Sequence, residues 1–152
     1  MSNLPHFPES FFRVSIKGLV VSDGRVLLFR EAPALSGQWE LPGGGLDFGE
    51  EPAVALKREI AEEAGLQVTY VSANPKYAWT ARFENQRGMA WYHSLVLCYE
   101  IGLAHLEFVA TEECTEIAFF DHAALSRLDI HHQSRPLLEK FDPGDFRMAV
   151  QK

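Results

Sequence analysis

The sequence predicts a mixed α+β domain, and three observations carry this prediction. Segments rich in β-branched and aromatic residues come first and recur later, one strongly marked helix lies near the middle, and shorter helical segments lie at the end. This order lacks the regular alternation of strand and helix that builds a fully parallel sheet. No internal repeat, low-complexity tract or linker interrupts it, so we expect a single domain over residues 1–152.

The first elements are predicted to be a hairpin and a glycine-rich turn. Strands at 11–21 and 26–29 flank a Ser-Asp-Gly-Arg turn, which favours a hairpin. Residues 31–38 are expected to form an exposed loop. A brief extended piece at 39–41 ends at Pro42, and the three glycines that follow predict a backbone that turns where a Cβ would not fit.

Helix signals are strongest over residues 51–64, where Pro52 suits the first turn and Gly65 suits the C-terminal cap. Four apolar residues recur at helical spacing and predict the buried stripe: Ala53, Leu56, Ile60 and Ala64. The remaining predicted elements are strands at 67–83 and 89–101 around a turn at 84–88, a strand at 116–120, and short helices at 121–128 and 134–141.

The composition is that of an ordinary globular chain, with 47% hydrophobic and 23% charged residues. A chain of 152 residues buries enough surface to fold without disulfides or a structural metal. We therefore interpret Cys98 and Cys114 as reduced thiols, and neither has the neighbouring Cys or His that a zinc site needs. No basic segment precedes an apolar run, so we expect a cytoplasmic protein without a membrane span.

The charge balance argues against general attraction to nucleic-acid polymers. Lys and Arg total 14 against 21 Asp and Glu, which gives a formal charge of -7. Residues 44–66 hold six of the acids and only two bases, and residues 88–126 hold six acids with no Lys or Arg. Such runs are usually solvated faces. Where an acidic protein does bind phosphate, a divalent cation is the natural mediator.

Three carboxylates of the predicted helix suggest such a cation site. Glu62 and Glu63 follow Glu59 by three and four residues, so the three carboxylates lie within about 100° of arc, where like charges repel. Convergent hard oxygen donors suit Mg²⁺ or Mn²⁺, and ions held in this way most often serve hydrolysis at phosphorus. Arg58 can hold a carboxylate in place, and Gly43–Gly45 can offer a carbonyl ligand. A solvated acidic face is the alternative that this pattern alone leaves open.

Other catalytic motifs are missing. Residues 43–49 lack the lysine of a P-loop, and Phe48 stands where a dinucleotide-binding glycine pattern requires Gly. There is no Gly-X-Ser-X-Gly elbow, and neither cysteine has an evident activating base. His131 and His132 are interpreted as polar loop residues rather than a ligand pair.

The segment from Gly44 to Leu66 resembles a complete Nudix box, whose pattern is GX5EX7REUXEEXGU with U an apolar aliphatic residue. Gly44 is followed after five residues by Glu50, and after seven more by Arg-Glu-Ile-Ala-Glu-Glu-Ala-Gly-Leu at 58–66. A chance match at these nine positions is on the order of one in 10⁹. The flanking segments 27–30, 39–43 and 113–120 are also similar to the family.

The resemblance implies a Nudix fold, with a mixed β-sheet sandwiched between helices in an α/β/α arrangement. It also implies Mg²⁺- or Mn²⁺-dependent hydrolysis of a nucleoside diphosphate linked to another group. Arg58 would orient the carboxylates. The ligands that the resemblance implies are the carboxylates of Glu59, Glu62 and Glu63, the Gly44 carbonyl and, as an outer contributor, Glu50.

The residues leave alternatives open for the general base and for the substrate contacts. Glu59 or Glu63 are candidate bases, and Glu113 is an acid outside the box, placed where it can meet substrate or be a solvated loop residue. Arg30 matches a position from which family members reach substrate phosphate, with a solvated strand end as the alternative. Trp79 offers a ring for stacking on a base, with core packing as the alternative.

The leading hypothesis is therefore an enzyme that attacks a pyrophosphate linkage with water, acting on a small-molecule nucleotide rather than a nucleic-acid polymer. A non-hydrolytic nucleotide sensor on the same fold is the second hypothesis, although binding alone does not require every carboxylate of the box. An isomerase is a third, because fold does not fix function. Family members often pair, so a homodimer is a further expectation.

Overall fold

The computed structural model describes residues 11–82 and 92–146. Its helices are α1 (Pro52–Ala64), α2 (His122–Leu125) and α3 (Leu137–Lys140), and a 3₁₀ turn spans Pro143–Asp145. Its strands are β1 (Phe11–Leu19), β2 (Val21–Ser22), β3 (Arg25–Glu31), β4 (Trp39–Glu40), β5 (Gly43–Gly45), β6 (Val68–Val71), β7 (Tyr77–Arg82), β8 (Tyr92–Leu103) and β9 (Cys114–Phe120).

The strands form two sheets. In the larger one the order is β5-β1-β8-β6, and β7 also pairs with β8. The pairing of β1 with β8 is parallel, whereas β5, β6 and β7 pair antiparallel with their neighbours, so this sheet is mixed as predicted. In the smaller sheet β3 pairs with β2, β4 and β9.

Helices cover both sides of these sheets, which confirms the predicted layering. On one side α1 packs its buried face, including Leu56 and Ile60, against Ile16, Leu27 and Phe29. Alternate residues of the same strands face the second core, to which α2 and α3 each contribute a fully buried leucine. Side-chain alternation along a strand thus supplies both cores from one layer of sheet.

The predicted hairpin forms only beside its turn. Of the predicted first strand and turn, only the short β2, Val21 and Ser22, is paired in register with β3, across a turn in which Asp23 and Gly24 have positive φ. The long β1 ends at Leu19 and joins the other sheet between β5 and β8. Alternating hydrophobicity identifies a strand, but it carries no information about which distant strand will pair with it.

The predicted strand at 67–83 is two strands. β6 and β7 pair with consecutive parts of β8, and residues 72–76 turn between them. The predicted turn at 84–88, together with Phe83, Arg87 and Trp91, lies outside the described residues.

Helix α1 is close to its prediction. It begins at Pro52 rather than residue 51, because Glu51 is the extended N-cap. It ends at Gly65, which adopts φ 66° and donates its N–H to the carbonyl of Ala61, as the cap prediction required. None of the helices in the described residues is long and apolar enough to cross a membrane.

Candidate active site

The glycine segment β5 lies between β1 and α1, and Gly43 is held from both sides of its peptide. Its N–H donates to Glu63 Oε1 at 3.0 Å, and its carbonyl accepts from Lys17 Nζ at 3.2 Å. Gly43 has φ 128°, and a Cβ at this position would collide with the carbonyl oxygen of Ile16. Glycine is therefore required here on two separate grounds.

Gly44 lies directly against the carboxylate of Glu59. A Cβ added at Gly44 would come within 2.7 Å of Glu59 Oε2, so the missing side chain is what lets this carboxylate approach the loop. The loop backbone and the helix carboxylate thus share one small space. The sequence places Gly44 and Glu59 in the same predicted ligand set, and the structure brings them together.

Arg58 organises the acidic face of α1. Its Nε and Nη2 donate to the two oxygens of Glu50 at 2.9 Å each, which is the bidentate geometry that a guanidinium favours. Its Nη1 donates to Glu59 Oε1 at 2.9 Å and lies 3.6 Å from Glu62 Oε2. One cation therefore offsets the repulsion between Glu59 and Glu62 that the helical spacing creates, and it also binds Glu50.

The three helix carboxylates do not point to one common centre. Arg58 draws Glu59 and Glu62 to one side, while Glu63 turns toward Gly43. Among the described residues, the only three-residue group of Asp, Glu, His or Cys whose ligand atoms all lie within 4.8 Å of one another is elsewhere. The donor set nevertheless fits a hard cation, because no basic side chain among the described residues pairs with Glu59 Oε2, and Glu62 is exposed beside it.

A buried ion pair that the sequence prediction missed contacts the glycine segment through the Gly43 carbonyl. Lys17 on β1 is 3% exposed, and its ammonium lies 3.8 Å from Glu40 Oε2 on β4. The sequence did contain a signal for this ion pair, because a lysine interrupts the apolar run of β1 and a glutamate lies between Trp39 and Leu41. Charged residues inside strands of this kind are rarely buried unless they are paired, and here each is the other's partner.

Burial controls the ionisation of these groups. It raises the pKa of Glu63 well above its ordinary value; Lys17 and the Gly43 N–H oppose that rise, whereas Glu40 and Glu59 add to it. Burial also raises the pKa of Glu40 to about 7, against the attraction of Lys17. For Lys17, burial lowers the pKa, but Glu40, Glu63 and nearby groups outweigh it and leave the pKa raised.

The compact group is formed by Glu31, Glu40 and His131, which the sequence analysis had treated as loop and strand residues. Other contacts already engage its members. Ser36 Oγ donates to Glu31 at 2.7 Å, and the Gln133 N–H donates to His131 Nδ1 at 3.2 Å. With Lys17 also at Glu40, the members of this group already have partners within the protein.

Stability is expected to fall as the pH rises from about 4.5 to about 7, because folding disfavours ionisation of Glu40. Since the pKa is raised from 4.5 to about 7, the stabilisation is complete below 4.5 and is lost on deprotonation, at a cost of about 1–3 kcal/mol. The raised pKa of Glu63 also makes stability fall as the pH rises. Burial lowers the pKa of His131, which makes stability rise with pH and so opposes the effect of Glu40. Glu50, whose pKa Arg58 lowers, acts only at more acidic pH.

Urea unfolding with a chelator at pH 5 and pH 7.5 measures this loss. Glu40→Gln is expected to flatten the pH dependence relative to the wild-type protein, whatever its absolute stability. An equal pH dependence in both proteins would show that Glu40 ionises as freely in the folded chain as in water.

The predicted substrate contacts lie apart from the glycine loop. Arg30 donates to the Gly37 carbonyl at 3.1 Å and lies over the Trp39 ring at 5.9 Å to the centroid. Trp79 is 7% exposed in the second core, and its indole N–H donates to the Gln133 carbonyl at 2.7 Å. Phosphate contact by Arg30 and base stacking by Trp79 stay predictions.

Glu113 is exposed in the loop before β9, and this loop is tied to α1. Thr111 Oγ1 donates to the Glu63 carbonyl at 2.7 Å and accepts from the N–H of Glu113 at 3.2 Å. The tether fixes the loop at the C-terminal half of the helix that carries the acidic face. A substrate-facing role for Glu113 stays a prediction.

Neither cysteine is suited to nucleophilic chemistry. Both are free and buried, as expected of reduced thiols. Burial raises the pKa of Cys98 to about 12 and that of Cys114 to about 11, so the thiolate is scarce at neutral pH. The chemistry open to this site is therefore that of its carboxylates.

Comparison with known proteins places these features in a family. The family model described as NUDIX domain matches residues 12–141. A MutT-like protein of Streptomyces ambofaciens is 43% identical over 70 residues, which cover 45% of this chain and 44% of that protein. This chain thus spans less than half the length of the first curated relatives that it matches.

Two other relatives match over most of their length. A nucleoside triphosphatase NudI of Escherichia fergusonii is 29% identical over 137 residues, covering 83% of this chain and 94% of that protein. The crystal structure of a MutT protein from Methanosarcina mazei superposes with a TM-score of 0.72 at 19% identity, covering 93% of this chain and all of that one. The structural likeness shows a shared fold.

Proposed function

The chain belongs to the NUDIX domain family, and on that premise we propose that it is a metal-dependent hydrolase that cleaves the pyrophosphate linkage of a nucleoside diphosphate or triphosphate derivative by in-line attack of water at phosphorus. Nucleoside triphosphates are the first substrate class to test, because the relative named a nucleoside triphosphatase aligns over 94% of its own length. The predicted homodimer and cytoplasmic location stay predictions.

One observation carries the proposal: the glycine loop and the acidic face of α1 form a single unit. Glu63 binds the N–H of Gly43, and Glu59 lies against Gly44 where a side chain would exclude it. Arg58 links Glu59 to Glu50 at the start of the helix. A solvated acidic helix has no need to fix its carboxylates to a backbone loop in this way.

The residues proposed to hold Mg²⁺ or Mn²⁺ are Glu59, Glu62, Glu63, the Gly44 carbonyl and, from outside, Glu50. When bound, such an ion neutralises phosphate charge and acidifies water. The chain's own contribution is to keep carboxylates ionised and oriented. Arg58 orients Glu59 and Glu50, and its bidentate contact lowers the pKa of Glu50 and so favours the ionised form of that side chain.

Glu63 is proposed to hold or accept a proton at its carboxylate. Burial favours its protonated form, and Lys17 favours the ionised form, so its ionisation responds to charge changes nearby. A carboxylate whose ionisation responds to nearby charge is suited to accept a proton as a general base. Glu59 remains the alternative base, since its Oε2 faces the loop.

The test is product release from a panel of nucleoside triphosphates, nucleotide sugars, ADP-ribose and dinucleoside polyphosphates, with Mg²⁺ or Mn²⁺ and a chelator control. Turnover of one class that the chelator abolishes is the expected result. Saturable nucleotide binding without any product across the panel would contradict hydrolysis and favour the nucleotide-sensor alternative.

Arg58→Lys is expected to lower turnover by roughly tenfold, because an ammonium cannot make the paired contacts to Glu50 while also binding Glu59. The apparent affinity for the metal should fall with it, as both carboxylates lose their fixed orientation. Turnover measured against metal concentration shows this. Lys57→Arg, an exposed neighbour on the same helix, is the matched control and should change neither quantity.

A further inference from the structure

A cavity lies outside the glycine loop and α1. Its volume is about 610 Å³, and it opens between the turn that follows β6 and the 3₁₀ turn at Pro143–Asp145. The wall includes Tyr70, Asn74, Lys76 and Glu100. None of the residues proposed for hydrolysis lines it. Its volume is in the range of pockets that take small organic ligands.

Glu100 is the unusual member of this wall. It lies on β8, is 6% exposed, and its Oε1 is shielded from solvent with no hydrogen bond from any described residue. Its main chain is fully engaged, because the Glu100 N–H donates to Ser72 Oγ at 3.1 Å and its carbonyl accepts from the Ser72 N–H at 2.9 Å. The backbone is thus fixed while the buried carboxylate lacks a donor, a costly arrangement.

Two charged residues of the wall, Lys76 and Asp145, make contacts of their own. Lys76 Nζ donates to the main-chain carbonyl of Asp145 at 2.9 Å and lies 5.8 Å from the centroid of the Phe146 ring. Tyr77 OH donates to Asp145 Oδ2 at 2.7 Å. These contacts build a defined wall, and they leave the acceptor on Glu100 for a group that enters the cavity.

We propose that this cavity binds a small organic cation that carries N–H donors, such as a primary ammonium or a guanidinium. The Glu100 carboxylate supplies the acceptor, and the Asp145 carboxylate adds negative charge to the wall. The ring of Tyr70, which is 42% exposed, offers a surface to the carbon atoms or the charge of the ligand. The Lys76 ammonium in the same wall disfavours a bare divalent ion, which needs several anionic ligands at once.

The test is a titration of the full chain with butylammonium, followed by amide chemical shifts in two-dimensional NMR, with a chelator present. Saturable shifts at residues 70–76 and 100 are expected. Tetramethylammonium has the same charge but no N–H, and it should bind roughly tenfold or more weakly. Equal binding of the two cations, or shifts without saturation, would overturn the proposal.

Variants locate the ligand. Glu100→Gln keeps the size of the side chain but loses its charge, and Tyr70→Ala removes the ring; each should weaken butylammonium binding, whereas Glu107→Gln, at an exposed acid, should not. Unchanged binding in both wall variants would overturn the site.

Discussion

Glu63→Gln is expected to lower turnover by roughly 10³-fold while the chain stays folded. The amide keeps the size of the buried side chain and can still accept the Gly43 N–H, which Glu63 Oε1 binds at 3.0 Å. It can neither take up a proton from water nor offer negative charge to a cation. Because burial opposes the charge on Glu63, removing that charge should leave the thermal midpoint unchanged or slightly higher.

Glu51→Gln is the matched control for this prediction. Glu51 is the N-cap of the same helix, is exposed, and makes no side-chain capping hydrogen bond. Its substitution changes the net charge by the same amount and should leave turnover within about twofold. If Glu63→Gln retains most of its activity on a substrate that the wild-type protein turns over, the carboxylate is structural and the base lies elsewhere.

The parts of the site that could be predicted from the sequence are those that a single local segment carries. Helical periodicity places Glu59, Glu62 and Glu63 on one face, and the spacing of the box adds Gly44 and Glu50 to them. The structure brings Glu59 to Gly44 as that pattern requires. Within such a segment, spacing along the chain fixes proximity in space.

The support beneath the loop could not be predicted in this way. Lys17 and Glu40 are 23 residues apart and lie on strands of different sheets. Their contact depends on β1 leaving the expected hairpin to pair with β5 and β8, and a local pattern cannot specify those partners. The error in the hairpin and the omission of Lys17 therefore have one physical cause.

The largest stability effect is expected at Gly43. Gly43→Ala forces a left-handed φ on alanine and drives its Cβ into the Ile16 carbonyl, so unfolding should become easier by at least about 3 kcal/mol. Turnover should be lost as well, because the same peptide receives Glu63 and Lys17. Urea unfolding and turnover measured on one preparation record both effects.

Substitutions at two nearby glycines distinguish an effect on stability from an effect on turnover. Gly49 has φ 81° but nothing within 4 Å of an added Cβ, so Gly49→Ala should cost only about 1 kcal/mol of backbone strain and spare turnover. At Gly44 the three heavy atoms nearest to an added Cβ all belong to the end of the flexible Glu59 side chain, which can swing away. Gly44→Ala should therefore stay within about 1 kcal/mol of wild-type stability yet lose roughly 10²-fold in turnover. Activity that survives in Gly44→Ala would mean that the close approach of Glu59 to the loop is not part of the catalytic geometry.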